Sequence, residues 1–179
     1  MKTASLVLFL LFATIAKAEF PPRIAASERI VTLEQWGGRG NDALVWAVRP
    51  TEIVIYHVFS STPDELLATI PIESKLRDAI RAAVAKIKEP MRGKVWFDPE
   101  VFDGSMLRIS FSPDGDLRQD RIEVANHWRP DFGELMELVS SACPEKWKIR
   151  FRERVAHLEE GGRKANIRCV SVKEYYREK

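Results

Sequence analysis

Residues 29–59, RIVTLEQWGGRGNDALVWAVRPTEIVIYHVF, decide the fold class of this chain. Three β-rich runs are separated by two groups of turn residues. Ile30, Val31, Leu33 and Trp36 make the first run, and the glycine-rich stretch from Gly37 to Asp42 breaks it. Residues 43–48 make the second, which meets Pro50. The third, residues 53–59, is apolar on both faces apart from His57, the pattern of a strand inside a sheet. Short connections between such runs predict a three-stranded antiparallel meander.

Downstream the period changes. Thr62-Pro63-Asp64-Glu65 has the spacing of a capped helix start, with Thr62 as N-cap, Pro63 at the first position and Glu65 returning the bond. A short helix is expected there, interrupted by Pro71. Ile72, Leu76, Ile80, Val84 and Ile87 then recur about every four residues, predicting a longer amphipathic helix that ends at Lys88-Glu89-Pro90 and Gly93. Residues 94–97 read as a short strand. Residues 107–111 and 122–125 read as a hairpin around Ser112-Pro113-Asp114-Gly115. A tight turn there would send Ile122 and Val124 to the face opposite Leu107 and Ile109, so a bulge or a longer loop reaching Asp120 is required.

Asp131 is placed to cap a helix whose buried stripe is Phe132, Leu135, Met136 and Val139, with Cys143 pointing inward and Pro144 as the stop. Beyond it Trp147, Ile149, Phe151 and Val155 alternate with Lys148, Arg150, Arg152 and Arg154, which predicts a strand with one basic face. A turn at Glu160-Gly161-Gly162-Arg163 would bring residues 166–172 back as its partner, with Arg168 widening the basic face. The whole reads as an α+β fold of two layers: a mainly antiparallel sheet, meander plus hairpins, with two to three helices packed on one face.

Ahead of the meander, Lys2, an apolar run from Ala4 to about Ala16 and the small residues of Ala16-Lys17-Ala18 have the order of an export signal, cut between Ala18 and Glu19. The expected organisation is a signal peptide over 1–18, a loose leader over 19–27 and one globular domain over 28–179, acting outside the cytoplasm as a periplasmic or secreted protein. The apolar run is shorter than the roughly 20 residues a membrane span needs.

The chain has 28 Lys and Arg against 26 Asp and Glu. Without Lys2 and Lys17 the balance is 26 to 26, a net charge of zero that argues against nucleic acid or an anionic lipid surface as a partner. The distribution is uneven, because from Glu145 onward eleven basic residues face six acidic ones. Two cysteines, Cys143 and Cys169, are expected to pair in an oxidising compartment, stabilising the fold by roughly 3–4 kcal/mol.

Few residues carry a chemical signature. The loop at Gly37 to Gly40 is followed by a strand rather than a helix, so it reads as a hairpin turn and not a phosphate cradle. Asp114, Asp116 and Asp120 do not fit a calcium loop, since Arg121 stands where the closing Glu belongs. No Gly-x-Ser-x-Gly or His-Glu-x-x-His spacing occurs, and no pattern calls for a metal or cofactor. His57 sits in a predicted interior strand. His127, beside Trp128 and just before Asp131, suits a cleft, and a small extracytoplasmic hydrolase or transferase centred there is one functional reading. The other is a non-enzymatic binding domain that docks an acidic protein or anionic envelope component on Lys148, Arg150, Arg152, Arg154 and Arg168. Against that stands a plain solvated face whose long stems cover apolar surface.

Overall fold

In a computed structural model that describes residues 29–37, 42–59, 64–101, 104–111, 120–159 and 166–177, the chain forms one eight-stranded sheet. β1 (Val31–Trp36), β2 (Asp42–Val48) and β3 (Glu52–Phe59) make the meander that residues 29–59 predict. β4 (Glu65–Pro71) adds a fourth antiparallel strand at one edge. β6 (Met106–Ser110) and β7 (Arg121–Ala125) form the hairpin and continue the sheet from β1. β5 (Lys94–Phe97) then pairs in parallel with β7, and β8 (Arg168–Ser171) closes the other edge against β5. The spatial order is β4-β3-β2-β1-β6-β7-β5-β8, antiparallel throughout except for β5 with β7.

α1 (Ser74–Met91) connects β4 at one edge to β5 near the other. Its 18 residues reach about 27 Å at 1.5 Å each, and six strand spacings span about 29 Å, so one helix is the right length to cross the sheet. Ile80, Ala83, Val84 and Ile87 form its buried stripe, as the four-residue recurrence requires. α2 (Gly133–Ala142) packs against α1 and buries Leu135, Met136 and Val139, with Phe132 buried just ahead. α3 (Phe151–Glu159) contributes Phe151 and Val155, both 0% exposed. These helices share one core with Leu33, Trp46, Ile55, Ile109, Ile122 and Trp96 from the sheet.

Among the described residues, one short helix lies on the opposite face. α4 (Val172–Tyr175) places Val172 and Tyr175 against Val95, with Phe97, Met106 and Val170 around them. Successive strand residues alternate faces, so Val95 and Met106 lie opposite Trp96 and Leu107. The helix layer is therefore α1, α2 and α3, and α4 sits on the other side of the sheet.

Three local readings are corrected. The segment after residue 64 is a strand, not a capped helix. The ladder slips between Ile55 and Tyr56, so that Ala68 pairs with Ile55 and Leu66 with Tyr56. Leu67 is the extra residue, and Leu67, Ala68 and Ile70 all pack toward the helix-side core. Asp131 is not an N-cap but part of a 3-10 turn, Pro130–Phe132, that leads into α2. The third concerns residues 148–154 and is taken up below. The hairpin register is resolved by the longer of the two routes: Phe111 N–H donates to the Asp120 carbonyl at 2.9 Å, which pairs Ile109 with Ile122 and Leu107 with Val124. The turn at 112–115 and residues 38–40 of the glycine-rich loop lie outside the described residues, as do the export signal and leader at 1–27. The β1–β2 hairpin itself, joined across Trp36 and Ala43, is as expected.

Candidate functional site

α2 ends because Cys143 adopts an extended backbone ahead of Pro144, and a 3-10 turn, Glu145–Trp147, then reverses the chain. Two hydrogen bonds pin the returning segment. The Trp46 indole N–H donates to the Trp147 carbonyl at 2.8 Å, and Ile149 N–H donates to Ser140 Oγ at 3.1 Å. The first ties the segment to the sheet core and the second ties it to the last turn of α2. α3 starts two residues later.

Between α2 and the returning segment lies an open groove of about 230 Å³. Gly133, Met136, Glu137 and Ser140 form the α2 wall, one stripe at helical spacing. Glu145, Lys148, Ile149, Arg150, Arg152 and Glu153 form the other wall, and Trp128 stands at the Gly133 end. A Cβ on Gly133 would lie 3.9 Å from Trp128 Cζ2, so the missing side chain is what leaves this end open. The Arg152 guanidinium sits over the Trp128 ring, 5.5 Å from its centroid, a cation–π arrangement that keeps the N–H edges of Arg152 available.

The lining holds three cations and three carboxylates, unequally committed. Glu145 binds Lys148 Nζ at 2.7 Å and Arg150 Nη2 at 2.9 Å. The hydrogen bond from Lys148, then its charge and that of Arg150, hold the Glu145 carboxyl below the usual glutamate range. Arg152, Glu137 and Glu153 have no ion-pair partner among the described residues. The groove thus presents apolar lining from Trp128, Met136 and Ile149, one uncommitted cation and two uncommitted carboxylates.

The basic segment is not a strand. Lys148, Arg150 and Arg152 do come together, but on an extended stretch running into a helix. The reason lies at residue 153: alternation from Trp147 to Phe151 calls for an apolar residue there, and Glu153 breaks it, while Phe151 and Val155 are four apart and fully buried. Arg154 is exposed on α3 and does not line the groove. Arg168 is exposed on β8 opposite Phe97 of β5, so the expected cross-strand extension of the basic face does not form.

The expected Cys143–Cys169 bridge is also absent. Both thiols are free, Cys143 buried behind α2 and Cys169 exposed on the edge strand. Cys143 Sγ–H donates to the Val139 carbonyl at 3.2 Å, and burial pushes its thiol up to about 11. A buried thiol of that acidity is a packing residue and not a nucleophile.

His127 and Asp131 flank Trp128 but neither lines the groove. Asp131 is held by Arg129, whose guanidinium lies 4.5 Å from the Trp96 ring centroid. The one hydroxyl side chain in the lining, that of Ser140, accepts from Ile149 N–H, and no histidine accompanies it. His57 Nε2 lies 2.9 Å from Asp42 Oδ2, an ion-pair geometry across neighbouring strands.

A second polar cluster was not foreseen. Glu123 on β7 is 0% exposed and lies on the sheet face away from α1–α3. Glu34, Arg108 and Glu123 stand in one cross-strand row over β1, β6 and β7. Arg108 bonds Glu34 at 2.8 Å and Glu123 at 2.9 Å, Arg121 approaches Glu123 at 2.7 Å, and the Tyr176 hydroxyl donates to Glu123 at 2.9 Å. Burial alone would lower the pKa of Arg108, but the charges of Glu34 and Glu123 outweigh it and raise it above the ordinary arginine value. Burial, then the Glu123 charge, raises the pKa of the Tyr176 hydroxyl. Asp120 stands outside the cluster and pairs with Arg92. The cluster's charges are met from within, so it fastens the C-terminal turn to the sheet. The alternating outward positions of Glu34, Arg108 and Glu123 were its sequence signal, legible only once the strand order is known.

Among the described residues no helix is long and apolar enough to cross a membrane. Comparison with known proteins found no matching family model, no matching curated protein and no matching solved structure.

Proposed function

We propose that this protein is a non-enzymatic binding domain that acts outside the cytoplasm after cleavage between Ala18 and Glu19, and that it docks another protein in the groove between α2 and residues 145–153. The observation that carries the reading is the groove's composition. Apolar Trp128, Met136 and Ile149 share the lining with charged side chains, and one of these, Arg152, lies over the Trp128 ring and has no carboxylate partner among the described residues. Aromatic and arginine anchors of this kind dominate binding energy where they sit in a concave, desolvated position. The partner contributes an acidic group, and the contact weakens as salt rises.

The test is capture of a partner from the source organism's extracytoplasmic fraction at low and moderate salt. It uses the wild-type chain, the Arg150→Glu, Arg152→Glu, Arg154→Glu variant and the Arg168→Glu variant. Loss in the triple variant with retention in Arg168→Glu supports the reading, provided the melting temperatures agree. Equal recovery by all three, or by none, sinks it. The alternative of a hydrolase or transferase near His127 has less behind it, because neither His127 nor Asp131 reaches the groove.

A further inference from the structure

We infer that the occupant of the α2–α3 groove is a short extended peptide segment of mixed charge: one large apolar side chain flanked by a carboxylate on one side and a basic residue on the other. The inference rests on the binding-domain reading and adds the chemistry of the ligand.

The charge a ligand must carry is set by which groups in the groove are already paired. Lys148 and Arg150 share Glu145, so neither is a free cation seeking an anion. Arg152 is free of carboxylates among the described residues, and its guanidinium, 5.5 Å from the Trp128 ring centroid, has N–H donors left for a carboxylate. Glu137 on α2 and Glu153 on α3 are likewise unpaired among the described residues and line the same groove. A uniformly acidic segment would satisfy Arg152 but meet these two carboxylates, and like charges brought together cost several times what a rim pair contributes. A segment carrying both signs satisfies all three.

The shape points the same way. About 230 Å³ holds one or two side chains, not a folded surface, and the apolar lining of Trp128, Met136 and Ile149 suits an aliphatic or aromatic anchor. Met136 and the ring of Trp128 supply adaptable and rigid contacts respectively. A planar anionic membrane would present one sign of charge to a concave site containing both, so lipid headgroups fit poorly.

A displayed library of random peptides selected on the full chain tests the inference, with Gly133→Trp as a plug. Gly133 has an ordinary helical backbone, so the larger side chain fills the groove at the Trp128 end without backbone strain. The expected result is a consensus of an apolar residue between an acidic and a basic one, bound about tenfold or more weaker by Gly133→Trp. Selection on Arg152→Glu should replace the acidic position with a basic one, which keeps the test decisive if the plugged variant does not fold. A consensus lost in Gly133→Trp but uniformly acidic, or plug-sensitive binding to anionic vesicles instead of peptides, would overturn the mixed-charge inference while leaving the groove as the site. No consensus, or one indifferent to the plug, would overturn both.

Discussion

Glu123 shows what single residues contribute to this molecule. A carboxylate with no exposure survives only because two guanidiniums and a phenol meet it, and removing it leaves the part-buried Arg121 without a carboxylate while Arg108 keeps Glu34. Glu123→Ala is expected to cost about 3–5 kcal/mol in urea denaturation, against about 1 kcal/mol for Tyr176→Phe, which removes a single donor. Near-equal effects would show that the arginines are satisfied by solvent. Gly104 makes a different point. A Cβ there would fall 1.1 Å from Asn126 Oδ1, and Asn126 has a positive φ of 57° with its Nδ2 donating to the Val101 carbonyl. Gly104→Ala should therefore destabilise by about 1–3 kcal/mol, with partial rescue by Asn126→Gly, which removes the colliding side chain and accepts the backbone angle. The thiols give a third residue-level prediction. In the folded protein Cys169 should alkylate promptly and Cys143 only on unfolding, with two thiols titrating in denatured protein that was never reduced. Finding none would restore the disulfide.

At the scale of elements, the sequence was most legible where period and length agreed. The meander, α1 and the buried stripe of α2 follow from alternation of two or recurrence of four over a full element. It misled at β4 and α3, for opposite reasons. At β4 the Thr62-Pro63-Asp64-Glu65 spacing imitates a capped helix start, and the bulge at Leu67 puts Leu67, Ala68 and Ile70 on one face, so no alternation marks the strand. In α3 the extended residues before Phe151 run in alternation straight into the helix, and only Glu153 marks the change. The candidate site was partly visible for the same reason. Lys148, Arg150 and Arg152 could be singled out by charge, but the wall they face, Gly133 to Ser140, is adjacent only through the reversal at Pro144. The helical state of residues 151–159 has its own test. Arg154→Pro removes the N–H that donates to the Arg150 carbonyl at 3.1 Å and should cost about 3 kcal/mol with loss of helical circular dichroism. An unchanged spectrum and stability would favour the strand.

For the molecule as a whole, stability and charge connect through groups that are neutral when folded. The thiol of Cys143, raised by burial from 9.0 to about 11, favours the folded state fully below the unfolded value, and that contribution disappears as pH rises through the folded one. Two units correspond to about 2–3 kcal/mol, so unfolding free energy should fall between about pH 9 and 11. Cys143→Ala should flatten that decline while losing some packing at all pH values. Tyr176, also raised, should add to the alkaline loss, and a stability profile flat to pH 11 would contradict both assignments. The same fold separates two polar sites across one sheet. The Glu123 cluster is closed on itself, whereas the groove on the helix side keeps Arg152, Glu137 and Glu153 uncommitted. That contrast is why the groove, and not the more deeply buried cluster, is assigned to a partner.

The most direct measurement is hydrogen exchange of the full chain with and without the captured partner. The account predicts added protection confined to α2 and residues 145–153, at the amides of Gly133 to Ser140 and Lys148 to Glu153. Protection instead along the edge strands β4 or β8, with α2 unchanged, would contradict it.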